Sequence, residues 1–292
     1  MLTARSAGSS DGQKLRYDST KPHSSQEQLA YTSVLPVNLN KIYFRDLKLY
    51  FCLWYNASME NYNYIRNNLE ELEQEIRSLS ERYGNTVTLV AVTKSGSDEE
   101  LVALVKAGAC HIGENRPGEV KRRGELLRNI GLTPALHEIG NLQRNKVKYI
   151  IDSVSLIHSL DSEALAAEID KQAGRVGRRV PVLIEINSAG EGSKGGIAPE
   201  CAEEFFLSLR KYENLIVSGI MTMGPVCDDP EDIRPYFRLT KKIFDSIRDT
   251  YGFEGVPTLS MGMSDSYRVA IEEGATLVRV GRKLFEKPKG DQ

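Results

Sequence analysis

The chain has 292 residues, 40% of them hydrophobic, enough for one sizeable buried core. Its formal net charge of -2, with both signs interspersed, offers no footprint for nucleic acid or an anionic membrane and leaves a small metabolite as the expected partner. Four cysteines, Cys52, Cys110, Cys201 and Cys227, form no CxxC pair and have no histidine at metal-ligand spacing, so neither a disulfide framework nor a zinc site is indicated and a reducing cytoplasm fits.

Residues 1–40 are rich in Ser, Gly, Gln, Thr and Lys, a composition that buries too little surface to order itself. The apolar stretch 42–55 contains Arg45, Asp46 and Lys48, is too short to span a bilayer and lies too far from the start for a secretory signal. The sequon at Asn56 then carries no glycan, because glycosylation needs a secreted chain. From Met59 the pattern changes: Ile65, Leu69, Leu72, Ile76 and Leu79 recur at helical spacing and predict an amphipathic helix packed on the body of the domain. The expected organisation is a disordered or appended extension over 1–58 and a single folded domain over 59–292.

Short β-branched runs follow at regular intervals: VTLVAVTK to Lys94, HIGEN to Asn115, ALHEIG to Gly140, SLIHSL to Leu160, PVLIEIN to Asn187, IVSGIMTM to Met223, TLSMG to Gly262 and LVRVG to Gly281. Helical stretches such as 98–108, 162–174 and 230–251 separate them. Such alternation implies parallel strands with crossover helices, and eight units match an α/β fold of the (β/α)8 TIM-barrel type. A doubly wound open sheet is the alternative; the missing Gly-x-Gly-x-x-Gly after the first strand speaks against it.

In parallel α/β folds functional side chains gather where strands end. Here those positions hold Lys94, Asn115, Asn141, Asn187, residues 260–264 and Arg279. Lys94 closes an apolar run, and a lysine at a dry barrel mouth would lose its charge readily and offer a nucleophilic amine; on pattern alone a solvated loop lysine is the commoner case. In LSMGMSDSYRVAI, Ser264 precedes a helix whose first N–H groups favour an anion, although Ser264 or Asp265 could equally be an N-cap alone. In VRVGRKLF, Gly281 allows close backbone approach and the amides of Arg282 and Lys283 follow it. An amine on the first strand and a phosphate cradle after the seventh and eighth suggest a phosphorylated aldehyde, of which pyridoxal 5'-phosphate is the commonest cofactor.

The strings LVAVTK, IGEN, HEIGNLQRNK, INSAGEGSKGGI, GIMTM, LSMGMSDS and VRVGRKLF resemble, in order and spacing, the pyridoxal phosphate homeostasis protein family over about 59–285. The resemblance implies a single barrel similar to the cofactor-binding domain of bacterial alanine racemase. It further implies that Lys94 forms the internal aldimine, that Ser264 and the backbone at Gly281 and Arg282 hold the phosphate, that Arg279 lies near the pyridine nitrogen and that Asn115 lies beside the ring. The chain departs from the family pattern at Arg116, Glu138, Ser266, Arg282 and Glu286, which alters the pocket rim but not the lysine.

The chain stops about ten residues after the eighth strand, which leaves no room for the extra domain that gives alanine racemase its second base. The expected role is therefore a non-catalytic carrier in cofactor homeostasis, monomeric and cytoplasmic, that passes cofactor to pyridoxal phosphate-dependent apo-enzymes. The alternatives are a racemase- or decarboxylase-like enzyme that uses the same cofactor, and a phosphate-binding aldolase that uses Lys94 alone.

Overall fold

The computed structural model of the chain describes residues 61–190 and 195–288. The extension expected over residues 1–58 lies outside them, as do its apolar stretch, its sequon, Cys52 and the following Met59. Among the described residues no helix is long and apolar enough to cross a membrane, and no cluster of His, Cys, Asp or Glu could hold a metal ion.

The first described helix, α1 (Asn63–Tyr83), buries Ile65, Leu69, Leu72 and Ile76 along one face, while the expected fifth member, Leu79, is only half-buried. It stops at Gly84, whose φ of 71° is easily reached only without a β-carbon. Its polar edge ties it to the barrel: the Asn68 amide donates to the carbonyls of Leu284 and Glu286, and the Tyr267 hydroxyl donates to Glu75 at 2.8 Å.

Eight parallel strands follow: β1 (Thr88–Val92), β2 (His111–Glu114), β3 (Ala135–Glu138), β4 (Leu156–Leu160), β5 (Val180–Glu185), β6 (Leu215–Met221), β7 (Thr258–Ser260) and β8 (Leu277–Val280). Each pairs with the next in sequence and β8 pairs back onto β1, so the sheet closes into a barrel with no free edge. The closed order rules out the doubly wound alternative. The connections carry α2 (Asp98–Ala107), α3 (Pro117–Asn129), α4 (Glu163–Arg175), α5 (Ala202–Ser208), α6 (Arg234–Tyr251) and α7 (Tyr267–Glu272). Between β3 and β4 the crossover is only a 3-10 segment, Arg144–Tyr149. α2 starts with a capping box in which the Ser97 side chain accepts from the Glu100 amide and Glu100 accepts from the Ser97 amide.

Every expected strand is present, but seven of the eight end one or two residues earlier than the apolar runs do. The extra residues still make single bonds to a neighbour, for example Thr93 N–H to Gly113 O and Ile139 N–H to Glu114 O, before the chain turns into the loops over the mouth. Inside the barrel, Val90, Leu156, Leu183, Met221 and Leu277 form one buried cluster from five strands. Strand side chains alternate between faces, so the residues two positions further on also point inward, toward the carboxyl ends.

Candidate functional site

Four of those next inward residues, Val92, Glu185, Met223 and Arg279, line a cleft of about 470 Å³ at the carboxyl end of the barrel. Lys94, Asn115, Asn141, Ser264, Asp265, Gly281 and Arg282 complete its polar wall. The residues singled out as cofactor-binding, Lys94, Asn115, Ser264, Arg279, Gly281 and Arg282, therefore converge on one space although they lie up to 188 positions apart. Asn187 does not belong with them; it lines a smaller adjoining recess with Ile186 and Ser188.

The loop that carries Lys94 is clamped from behind. Arg123 on α3 is buried and donates from Nη1 to the Thr93 carbonyl and from Nη2 to the Gly96 carbonyl, on either side of Lys94 and Ser95. Its charge is met by Glu114 on β2, 2.7 Å away, whose Oε1 also accepts from the Thr93 hydroxyl. A buried pair of this kind contributes orientation more than stability, and here what it orients is the lysine loop. Of the two settings read for Lys94, the solvated loop is found and the dry mouth is not: the residue is exposed, because β1 ends two residues before it and the loop lifts it clear of the apolar wall.

Arg279, by contrast, is only 4% exposed. Its guanidinium donates from Nη1 to Ser260 Oγ and from Nη2 to the Thr222 carbonyl at 3.0 Å. Burial lowers its pKa to about 10 against the opposing pull of Glu185, which leaves it cationic at neutral pH. Glu185 was not foreseen as a site residue. Burial first, and then Asp161, push its carboxyl up to about 7, while Arg279 acts the other way. A glutamate at an inward position of the apolar run PVLIEIN was the available signal.

On the opposite wall, the loop after β7 and the end of β8 are tied together by the Gly281 amide, which donates to Ser264 Oγ at 3.3 Å. A β-carbon at Gly281 would lie 2.9 Å from the Val92 carbonyl oxygen, so only glycine lets β8 run this close to β1. Gly262 has φ near 91°, and a β-carbon there would meet Ala270 at 2.5 Å. Two expectations need correction. Neither Ser264 nor Asp265 caps α7; Ser266 holds that position and its hydroxyl instead accepts from the Met263 amide, because the turn begins at Met263. And α7 has only six residues, so its dipole adds little to an anion site and the hydroxyl of Ser264 with the adjacent amides must do most of it. The Arg282 side chain forms an exposed pair with Asp265, which also lines the cleft.

The departures divide by location. Arg116, Arg282 and Glu286 are exposed, whereas Glu138 and Ser266 are buried. Glu138 Oε1 accepts from the Gly140 amide at 3.1 Å, and Oε2 has no hydrogen-bond partner among the described residues.

The alanine racemase N-terminal domain family matches residues 67–287. A pyridoxal phosphate homeostasis protein of Aquifex aeolicus is 41% identical over 76% of this chain and 97% of its own length. The chain belongs to the pyridoxal phosphate homeostasis protein family. A member from Helicobacter pylori is 36% identical over 69% of this chain and 88% of its own. The solved structure of PipY from Synechococcus elongatus, with pyridoxal phosphate bound, is 26% identical, covers 76% of this chain and all 100% of PipY, and has a TM-score of 0.67. Family and barrel thus agree with what the motifs implied.

Proposed function

We propose that this chain holds pyridoxal 5'-phosphate through Lys94 and acts as a carrier of that cofactor in homeostasis, not as an enzyme. The carrying observation is the convergence of an amine, a buried arginine and a hydroxyl–amide cradle on one cleft. The family relatives named for this role, and the pyridoxal phosphate in PipY, support the reading.

When bound, pyridoxal phosphate supplies an aldehyde that condenses with a primary amine and a ring that withdraws electrons. Lys94 provides the amine, held toward the cleft by the Arg123 clamp on both sides of its loop. Ser264 and the amides of Gly281 and Arg282 are the donors for the phosphate, and the glycine keeps that wall free of a β-carbon. Arg279 is the group for the pyridine nitrogen. A guanidinium has donors only and at neutral pH remains charged, so it keeps a proton off any nitrogen it faces and weakens the ring as an electron sink. Asn115 lines the same wall and would lie beside the ring. The mouth is open and Lys94 exposed, which favours exchange of the cofactor over protection of a carbanion. The chain then works in the cytoplasm as a monomer that exchanges pyridoxal phosphate with apo-enzymes.

One observation favours a racemase- or decarboxylase-like reading. Glu185 lines the cleft with a carboxyl that titrates near 7, a range useful for moving a proton. The deciding experiment loads the full chain with pyridoxal phosphate, records its near-visible absorbance, reduces with borohydride and maps the modified residue by mass spectrometry. The label lies on Lys94 and the band is absent in Lys94→Ala. A label elsewhere, or a band that survives the substitution, overturns the assignment; conversion of an L- to a D-amino acid well above the rate of free cofactor overturns the carrier reading.

A further inference from the structure

Three of the four histidines in the chain stand in a row inside the barrel. His111, the first residue of β2, has Nδ1 3.0 Å from Nε2 of His137 on β3. His137 Nδ1 is in turn 2.9 Å from Nε2 of His158 on β4, and His158 Nδ1 is 3.0 Å from Ser260 Oγ at the end of β7. Ser260 Oγ also receives Nη1 of Arg279. The row thus descends from the arginine that lines the cleft to His111, on the amino-terminal side of the barrel, where burial is only partial.

Burial pushes all three rings down, His137 to about 3 and His158 well below the usual imidazole value, so each is neutral and offers one donor and one acceptor. Which nitrogen carries the proton is then a question of what the ends of the row allow. A guanidinium has no acceptor, so Ser260 Oγ accepts from Arg279. Ser260 is fully buried, and the acceptor that its own proton can reach among the described residues is Nδ1 of His158. His158 must then carry its proton on Nε2 and donate to His137 Nδ1. The same step repeats from His137 Nε2 to His111 Nδ1, and His111 is left with its proton on Nε2.

We infer that Arg279, acting through Ser260, fixes one direction of hydrogen bonding along His158, His137 and His111, and that His158 and Ser260 are positioning residues that hold its guanidinium toward the cleft. The bearing on cofactor binding rests on the assignment of Arg279 to the pyridine nitrogen; the direction of the row does not. Braced at Nη1 by Ser260 and at Nη2 by the Thr222 carbonyl, the guanidinium is held in one orientation at the wall of the cleft that it lines.

The test is nitrogen NMR of the full chain labelled with 15N at histidine, in which long-range couplings distinguish the two tautomers. His23, assigned by His23→Gln, is the reference signal. The expected spectrum has His111, His137 and His158 all as Nε2–H tautomers at neutral pH. Ser260→Ala mixes the tautomers at all three rings, and Ser260→Thr, which keeps a hydroxyl, restores them. In a titration with added pyridoxal phosphate, Ser260→Ala weakens binding by about fivefold, the worth of one neutral hydrogen bond, and shifts the absorbance maximum, while Ser260→Thr binds normally. Mixed or Nδ1–H tautomers in the unsubstituted chain, or a response to Ser260→Ala confined to His158, overturn the relay; unchanged affinity and spectrum in Ser260→Ala overturn the positioning role. If Ser260→Ala does not fold, the spectrum of the unsubstituted chain still decides the direction. Failure of pyridoxal phosphate to bind the unsubstituted chain would sink the cofactor assignment and leave the tautomer result standing.

Discussion

Glu138 has no solvent exposure and, among the described residues, one accepted hydrogen bond and no cation within bonding reach, so its charge is poorly accommodated in the folded chain. Burial, with a smaller contribution from Glu114, raises its pKa from 4.5 to about 8. Between those two values the native state binds a proton that the unfolded state has released. Stability therefore falls as pH rises, at about 1.4 kcal/mol per pH unit while the difference is complete. Over the window this amounts to an order-of-magnitude loss of about 5 kcal/mol, nearly absent below pH ~4.5 and fully developed above pH ~8. Glu138→Gln keeps the acceptor for the Gly140 amide and cannot ionise. Urea unfolding at about pH 5, 6, 7 and 8 should show the variant gaining on the unsubstituted chain by about 1 kcal/mol per unit. The extra amide N–H groups add an offset that does not depend on pH, and other titrating groups such as Glu185 are common to both chains and cancel. Parallel stability curves would refute the reasoning.

Arg123→Met leaves the Glu114 carboxylate buried without its partner and frees the carbonyls on both sides of Lys94. A loss of about 3–5 kcal/mol in urea unfolding is expected, together with slower attachment of pyridoxal phosphate to the lysine in stopped-flow absorbance. Gly281→Ala places a β-carbon 2.9 Å from the Val92 carbonyl, so β8 must move off β1 at the wall proposed to hold the phosphate. The cost is about 1–3 kcal/mol in thermal or urea unfolding, with a raised Kd for pyridoxal phosphate; an unchanged Kd would remove the wall from the site.

The barrel was legible because each strand is a short apolar run and each helix restores a longer period, a signal that is local and repeated. The site was legible because strand ends in such a fold share one mouth, so Lys94, Asn115, Arg279 and Gly281 could be grouped without knowing any distance. What the sequence hid was pairing across the barrel. Arg123 lies on the same buried stripe of α3 as Val120 and Leu127, a mark of a buried cation, yet its partners come from the loop after β1 and from β2. The three histidines are separated by 26 and 21 positions and meet only because neighbouring strands place them at adjoining heights. The exposure of Lys94 is the setting that its pattern alone favoured; what the sequence hid was its cause, since where a strand stops relative to its apolar run is decided by its neighbours.

That same exposure has a kinetic consequence. A lysine already outside the apolar interior can be reached by amines from solution, whether free amino acids or side chains of larger proteins, without the barrel opening. Under the proposed attachment to Lys94, turnover of the cofactor follows the supply and nucleophilicity of the competing amine, not the frequency with which the protein breathes, so the lifetime of a loaded chain would report the amine chemistry of its surroundings.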